Sequence, residues 1–186
     1  MAKSILKIIV SFLLLSTVSA EPLSSEDDEY VWSVEQYDPT TLIASTPGIT
    51  MHGDKLRIRI VKGGCGYGQL WTSVYTMPSE GVDENTFIDK KVSGRFMGQK
   101  MTFPVIHAGK FILGYLVMLD MGVYDLDQLG KILSRESELK MEYVDSTDFK
   151  STELFDIPFN SWSTKNLTQA IKEASHQCHL LETRKG

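Results

Sequence analysis

Two cysteines and four histidines carry most of the reactive chemistry available to this 186-residue chain. Cys65 stands in "KGGCGYGQLW" (62–71), a thiol set among glycines after the strand-like "KLRIRIV". His107 follows some forty residues on, in "VIHAGKFILGY". A thiolate becomes a nucleophile when a histidine serves as its base and charge partner, so Cys65 with His107 is one candidate pair. Cys65 with Cys178 is another, as a disulfide, and the two assignments exclude each other because an oxidised sulfur has no thiolate to offer. The third candidate chemistry is metal binding by "HQCH", where His176 and His179 flank Cys178 at a spacing that one helix can present to an ion. Cys178 falls on the apolar stripe of that segment and the histidines largely off it, which favours surface histidines over a metal centre. No metal or cofactor is expected.

The compartment bears on the cysteines. The chain opens "MAKSILKIIVSFLLLSTVSA": Lys3 and Lys7 precede an apolar run, and Val18, Ser19 and Ala20 are the small residues that suit a signal peptidase. Residues 1–20 therefore read as a cleaved signal peptide. The unbroken run Ile8–Leu15 is shorter than the ~20 residues that span a bilayer, so no membrane insertion is expected after cleavage. Export to an oxidising periplasmic or secreted location turns an isolated cysteine pair into a disulfide. Closing a loop of about 110 residues stabilises a fold by about 4–5 kcal/mol in the chain-entropy picture. Cleavage removes two lysines and no acids, which takes the formal charge from −5 to −7. The short basic patches (Lys55, Arg57, Arg59, Lys62; Lys90, Lys91) are isolated, which argues against nucleic acid and makes a charged partner more naturally cationic. The acidic stretch 21–29 reads as a flexible leader, not a calcium loop, and residues 30–186 as one globular domain.

These residues need elements to hold them. Arg57 and Arg59 alternate with Leu56, Ile58 and Ile60, the two-residue period of a half-buried strand. "ELKMEYV" repeats it through Leu139, Met141 and Tyr143, and "TELFDIPFN" through Phe155, Ile157 and Phe159. Further strands are expected in "YVWSVEQ", "LWTSVYTM", "FIDKKVSG" and "KMTFPVI". "FILGYLVMLDMG", rich in β-branched and aromatic residues, is expected to be one buried strand in the middle of the sheet. Two segments have helical spacing. "YDLDQLGKILSRE" starts on an Asp125/Gln128 capping pair, with Leu126, Leu129, Ile132 and Leu133 as its stripe. "NLTQAIKEASHQC" starts on Asn166/Gln169 and carries Cys178 inward. The paired carboxylates Asp125/Asp127 and Glu136/Glu138 read as caps and exposed positions. Asn166 in "NLT" is a glycosylation sequon only in a eukaryotic secretory route. The fold class is mainly β, α+β: an antiparallel sandwich or half-barrel with one inserted short helix and one C-terminal helix.

Two resemblances refine the functional alternatives. "GGCGYGQLW" and "VIHAGKFILGY" resemble the glycine-flanked cysteine and strand-borne histidine of papain-type proteases, which implies a nucleophile at Cys65 and a base at His107. "LFDIPFNSWSTKNLTQAIKEASHQC", about the last quarter of the chain, resembles the final strand, turn and alanine-containing helix of exported bacterial invasion-associated locus B proteins. That likeness implies a small β-rich envelope protein linked to host interaction or envelope stress, and it implies no catalytic residue. The function expected is a non-enzymatic exported protein that binds another protein: an inhibitor, an immunity factor or an accessory part of an envelope or secretion system. A thiol-dependent hydrolase using Cys65 and His107 is the alternative. Tyr67 and Trp71, on or beside a loop that a disulfide would pin, are the candidate contact residues, with Tyr67 the better placed to be exposed.

Overall fold

The computed structural model describes residues 30–51, 53–77 and 81–183. The expected signal segment 1–20 and the expected acidic leader 21–29 lie outside the described residues. The strands are β1 Ser33–Asp38, β2 Thr41–Pro47, β3 Lys55–Val61, β4 Tyr67–Thr76, β5 Lys91–Phe96, β6 Gln99–Phe111, β7 Gly114–Asp125, β8 Glu138–Val144 and β9 Phe159–Ser163. Helix α1 covers Leu126–Leu133, α2 Ser151–Leu154 and α3 Leu167–Thr183. The strands pair antiparallel in the order β1-β2-β3-β4-β7-β6-β5-β8-β9, a curled half-barrel.

Alternation decides which face each strand buries. Leu56, Ile58 and Ile60 of β3 are fully buried on the concave side, while Lys55 and Arg59 face out. Helix α3 lies across β1, β2 and β3 and buries Leu167, Ala170, Ile171, Ala174, Cys178 and Leu181. Helix α1 packs against α3 and β7, and its N-terminus is capped where Asp125 accepts from the Gln128 amide at 2.9 Å. A third apolar group lies beneath β8, where Phe87, Tyr143, Phe149 and Phe155 meet edge-on or tilted.

Strand β6 turns the corner of the sheet. Gln99–Pro104 pair with β5, Val105–Phe111 pair with β7, and a bulge between Val105 and His107 separates the two halves. A second bulge, between Leu70 and Trp71 on one side and Asp120 and Gly122 on the other, needs a left-handed backbone, which Gly122 supplies at φ 103°. The free edge of β9 is sealed by the start of the domain. Trp32 Nε1 donates to the Ser163 carbonyl at 2.7 Å, the Trp32 amide to Lys165 at 3.2 Å, and the Ile49 amide to Ser161 at 2.8 Å.

Several expectations need correction. "FILGYLVMLDMG" is not one strand: Phe111 ends β6, Ile112 and Leu113 form a two-residue turn, and β7 starts at Gly114. Strand β7 itself stands fifth of nine, in the middle of the sheet. Phe155, Ile157 and Phe159 share no face, because Ser151–Leu154 is helical, Phe155 is buried in the aromatic group and Phe159 is half exposed at the start of β9. "FIDKKVSG" becomes strand only at Lys91, since a 3-10 turn over Glu84–Thr86 ends at Phe87. The Asn166 side chain does not cap α3; its amide donates to the Trp32 carbonyl at 3.2 Å, and Asn166 itself adopts φ 66°. Ile132 is half exposed, unlike its neighbours on the expected stripe.

Candidate functional site

The loop between β3 and β4 is built by its glycines and held from several sides. Gly63 adopts φ 91°, which permits the tight turn in which Gly64 donates to the Val61 carbonyl and Tyr67 to the Gly64 carbonyl, both at 2.9 Å. Lys62 donates to Thr40, and the Gly63 amide to the Glu182 carboxylate of α3 at 3.0 Å. Ser175 Oγ of α3 donates to the Cys65 carbonyl at 2.9 Å. Cys65 and Cys178 are joined in a disulfide with Cα atoms 5.5 Å apart, both buried. The sulfur that resembled a nucleophile is therefore the covalent tie between sheet and C-terminal helix.

His107 is nowhere near that sulfur. It lies exposed on β6 opposite Met118, whereas the Cys65 loop enters β4 at Tyr67, opposite Asp125. Met118 and Asp125 stand seven positions apart on β7, about 20 Å along the strand. The HQCH segment does not converge either, because Cys178 is buried and oxidised. Ligand-type atoms of Cys65, His179 and Glu182 do lie within 4.8 Å of one another. The Cys65 sulfur is spent in the disulfide, and His179 Nδ1 pairs with Glu182 at 2.9 Å, so the cluster offers an ion two ordinary surface ligands.

Next to the pinned loop, register places outward residues in rows. Arg59 of β3, Gln69 of β4 and Val123 of β7 lie side by side, with Tyr67 one step along β4. Tyr67 is 60% exposed and Val123 66%. Together with Val61, Lys62 and Gly64 they border a shallow depression of about 380 Å³. Trp71 is buried at the next outward position, and the Arg57 guanidinium covers it at 4.7 Å from the ring centroid. Arg57 also donates to Ser73 Oγ at 2.8 Å. Of the two aromatics, Tyr67 alone is presented to solvent.

Sequence reasoning passed over Asp54, which looks like a turn residue in "HGDK". It is 2% exposed. One carboxylate oxygen accepts from the Tyr75 amide at 2.6 Å and the other from Asn160 Nδ2 at 3.1 Å. The Asn160 carbonyl oxygen in turn accepts from the Thr50 and Met51 amides at 3.1 and 3.3 Å. Gly48 permits this meeting, since a Cβ there would strike the Asn160 side chain. Burial pushes the Asp54 carboxyl up to about 7, against the Tyr75 amide, the Asn160 amide and the Arg57 charge, which all pull it down. The adjacent Tyr143 hydroxyl, fully buried, is pushed up chiefly by burial and further by Asp54, against a smaller pull from the Thr72 hydroxyl. The only sequence signal for this group was an acid following glycine just before a strong strand. No protein family, no curated protein and no solved structure matches the chain.

Proposed function

We propose that this is a small exported protein that acts by binding another protein through the outward face around Tyr67. The observation that carries this reading is a tyrosine presented to solvent at the first residue of β4, directly after a loop fastened by a disulfide and by hydrogen bonds to α3. A side chain held in place before binding loses little conformational entropy on contact, and tyrosine supplies a large apolar area with one polar tip. Val123 extends the apolar contact, and Arg59 and Lys62 rim the depression, so the matching patch on the partner is apolar with carboxylates around it. That local preference differs from the cationic partner suggested by the acidic net charge. The disulfide is compatible with an oxidising location. Among the described residues no helix is long and apolar enough to cross a membrane. The strand-turn-helix end of the chain is consistent with the envelope role that its locus B-like resemblance implies.

The test is capture from an envelope extract with the immobilised protein, followed by calorimetry on the captured partner. Tyr67→Ala is expected to weaken that partner by about 1–2 kcal/mol while leaving the thermal midpoint within a degree or two. Unfolding on Tyr67→Ala, or unchanged affinity, would remove the loop from the binding surface.

A further inference from the structure

On the concave side, between α1 and the β5–β6 hairpin, lies a cavity of about 490 Å³, within the roughly 300–1,000 Å³ range of small-ligand sites. Its walls are apolar: Leu70 of β4, Phe96 and Met97 at the hairpin, Met101 of β6, and Leu129 and Leu133 of α1. Two of these walls are thioethers, flexible and polarisable enough to fit chains of different shape. Met97 takes up its place at a conformational cost. Phe96 and Gln99 flank a two-residue turn in which Met97 and Gly98 both have positive φ, 51° and 78°. Asn, Asp or Gly ordinarily occupy both central positions of such a turn. The Met97 amide is held by the Lys140 carbonyl at 2.9 Å, and its side chain rests against the core.

The polar lining gathers at the rim, in Gln99, Tyr124, Arg135 and Glu136. The Tyr124 hydroxyl is committed to the Met121 carbonyl at 2.6 Å. Arg135 and Glu136 are exposed, and neither side chain has a hydrogen bond or ion pair among the described residues. An apolar chamber with a free guanidinium at its edge suits a molecule with one chain and one anionic head. We propose that this cavity binds a single-chain amphipathic carboxylate, its chain among Met97, Met101, Leu129 and Leu133 and its head on Arg135. A planar guanidinium accepts a carboxylate in a two-pronged hydrogen bond. Glu136 on the same rim repels a dianionic phosphate head more strongly than a monoanion, which sets the head-group class. The chamber volume suits one chain better than two.

The test uses the purified protein, with decanoate, decanol and decylamine as competitors against a dansyl-undecanoate fluorescent probe. Decanoate is expected to displace the probe. Arg135→Gln should weaken decanoate by roughly fivefold, as for one solvent-exposed ion pair, and leave decanol unchanged. Glu136→Gln should tighten decanoate by roughly twofold, since it removes one repelling charge at similar exposure. Met101→Trp should fill the chamber and weaken decanoate and decanol together. If circular dichroism shows that this variant is unfolded, Ile132→Asp replaces it, because that rim residue is 46% exposed and its substitution spares the core. Failure of decanoate to displace the probe would overturn the proposal. So would stronger competition by decylamine, equal loss of decanoate and decanol on Arg135→Gln, or unchanged binding in the folded chamber variant.

Discussion

Replacing Asp54 by asparagine should flatten the pH dependence of stability near neutrality. In the folded protein this carboxyl keeps its proton up to about 7, chiefly because burial opposes its ionisation, whereas its ordinary value is 3.8. Between those values the folded chain holds one proton more than the unfolded chain, so stability falls as the pH rises. The advantage of the neutral acid is complete below 3.8, drains away through neutrality and is exhausted above about 7. About three pKa units at about 1.4 kcal/mol each set a ceiling of about 4 kcal/mol, of which roughly 2–3 kcal/mol falls between pH 5 and pH 8. Urea unfolding at half-unit steps across that window measures it. The informative quantity is the difference between wild type and Asp54→Asn, in which every contribution common to both chains cancels. The variant sets an amide donor against Asn160 Nδ2, a loss that does not depend on pH. A variant as steep as wild type would refute the assignment of a buried, protonated Asp54.

Alkylation under denaturing, non-reducing conditions is expected to find no free thiol. Cys178→Ala should lower the unfolding free energy by about 4–5 kcal/mol in the chain-entropy picture, measured by urea titration. Ile112→Gly should raise the thermal midpoint, because relieving a β-branched residue at φ 54° outweighs the added freedom of glycine by about 0.5–1 kcal/mol. Arg57→Ala should cost about 1 kcal/mol and shift tryptophan emission to the red as Trp71 is uncovered, since Trp32 and Trp162 remain buried. The same substitution removes a positive charge beside Asp54 and should move the Asp54 transition further up the pH scale.

Where one face was apolar and the other charged, the strands were legible: β3 and β8 lie where Arg57/Arg59 and Lys140/Glu142 alternate with buried aliphatics. The β6–β7 hairpin was not legible, because Ile112 and Leu113 occupy a turn without any residue that signals one, and their hydrophobicity merged two strands into one run. The "TELFDIPFN" pattern misled for a related reason: apolar residues at alternate positions also arise when a short helix ends in an extended segment. The disulfide was legible from cysteine count and a leader that reads as an export signal, and the exposure of Tyr67 relative to Trp71 from its place beside the glycine-rich turn. Asp54 could not be found in one dimension, since its partners Tyr75 and Asn160 come from β4 and β9. The cavity beside α1 was equally hidden, assembled from β4, β5, β6, β7 and α1, whose apolar residues each looked like ordinary core.

The sealing of β9 has a kinetic consequence. Trp32 meets Ser163 across 131 positions of sequence, Thr50 meets Asn160 across 110, and Cys65 meets Cys178 across 113. None of these junctions can form by local chain motion, so the half-barrel closes only after nearly the whole domain is available and its loops have been brought together. Antiparallel topologies dominated by such distant pairings fold over milliseconds to seconds, far slower than helical bundles of like size. The chain therefore passes through a period in which β9 presents an unpaired edge and α3 has not docked. With two cysteines in the chain, intramolecular oxidation yields the native pair whenever it occurs, and a tether formed before closure shortens the search by which α3 finds the sheet.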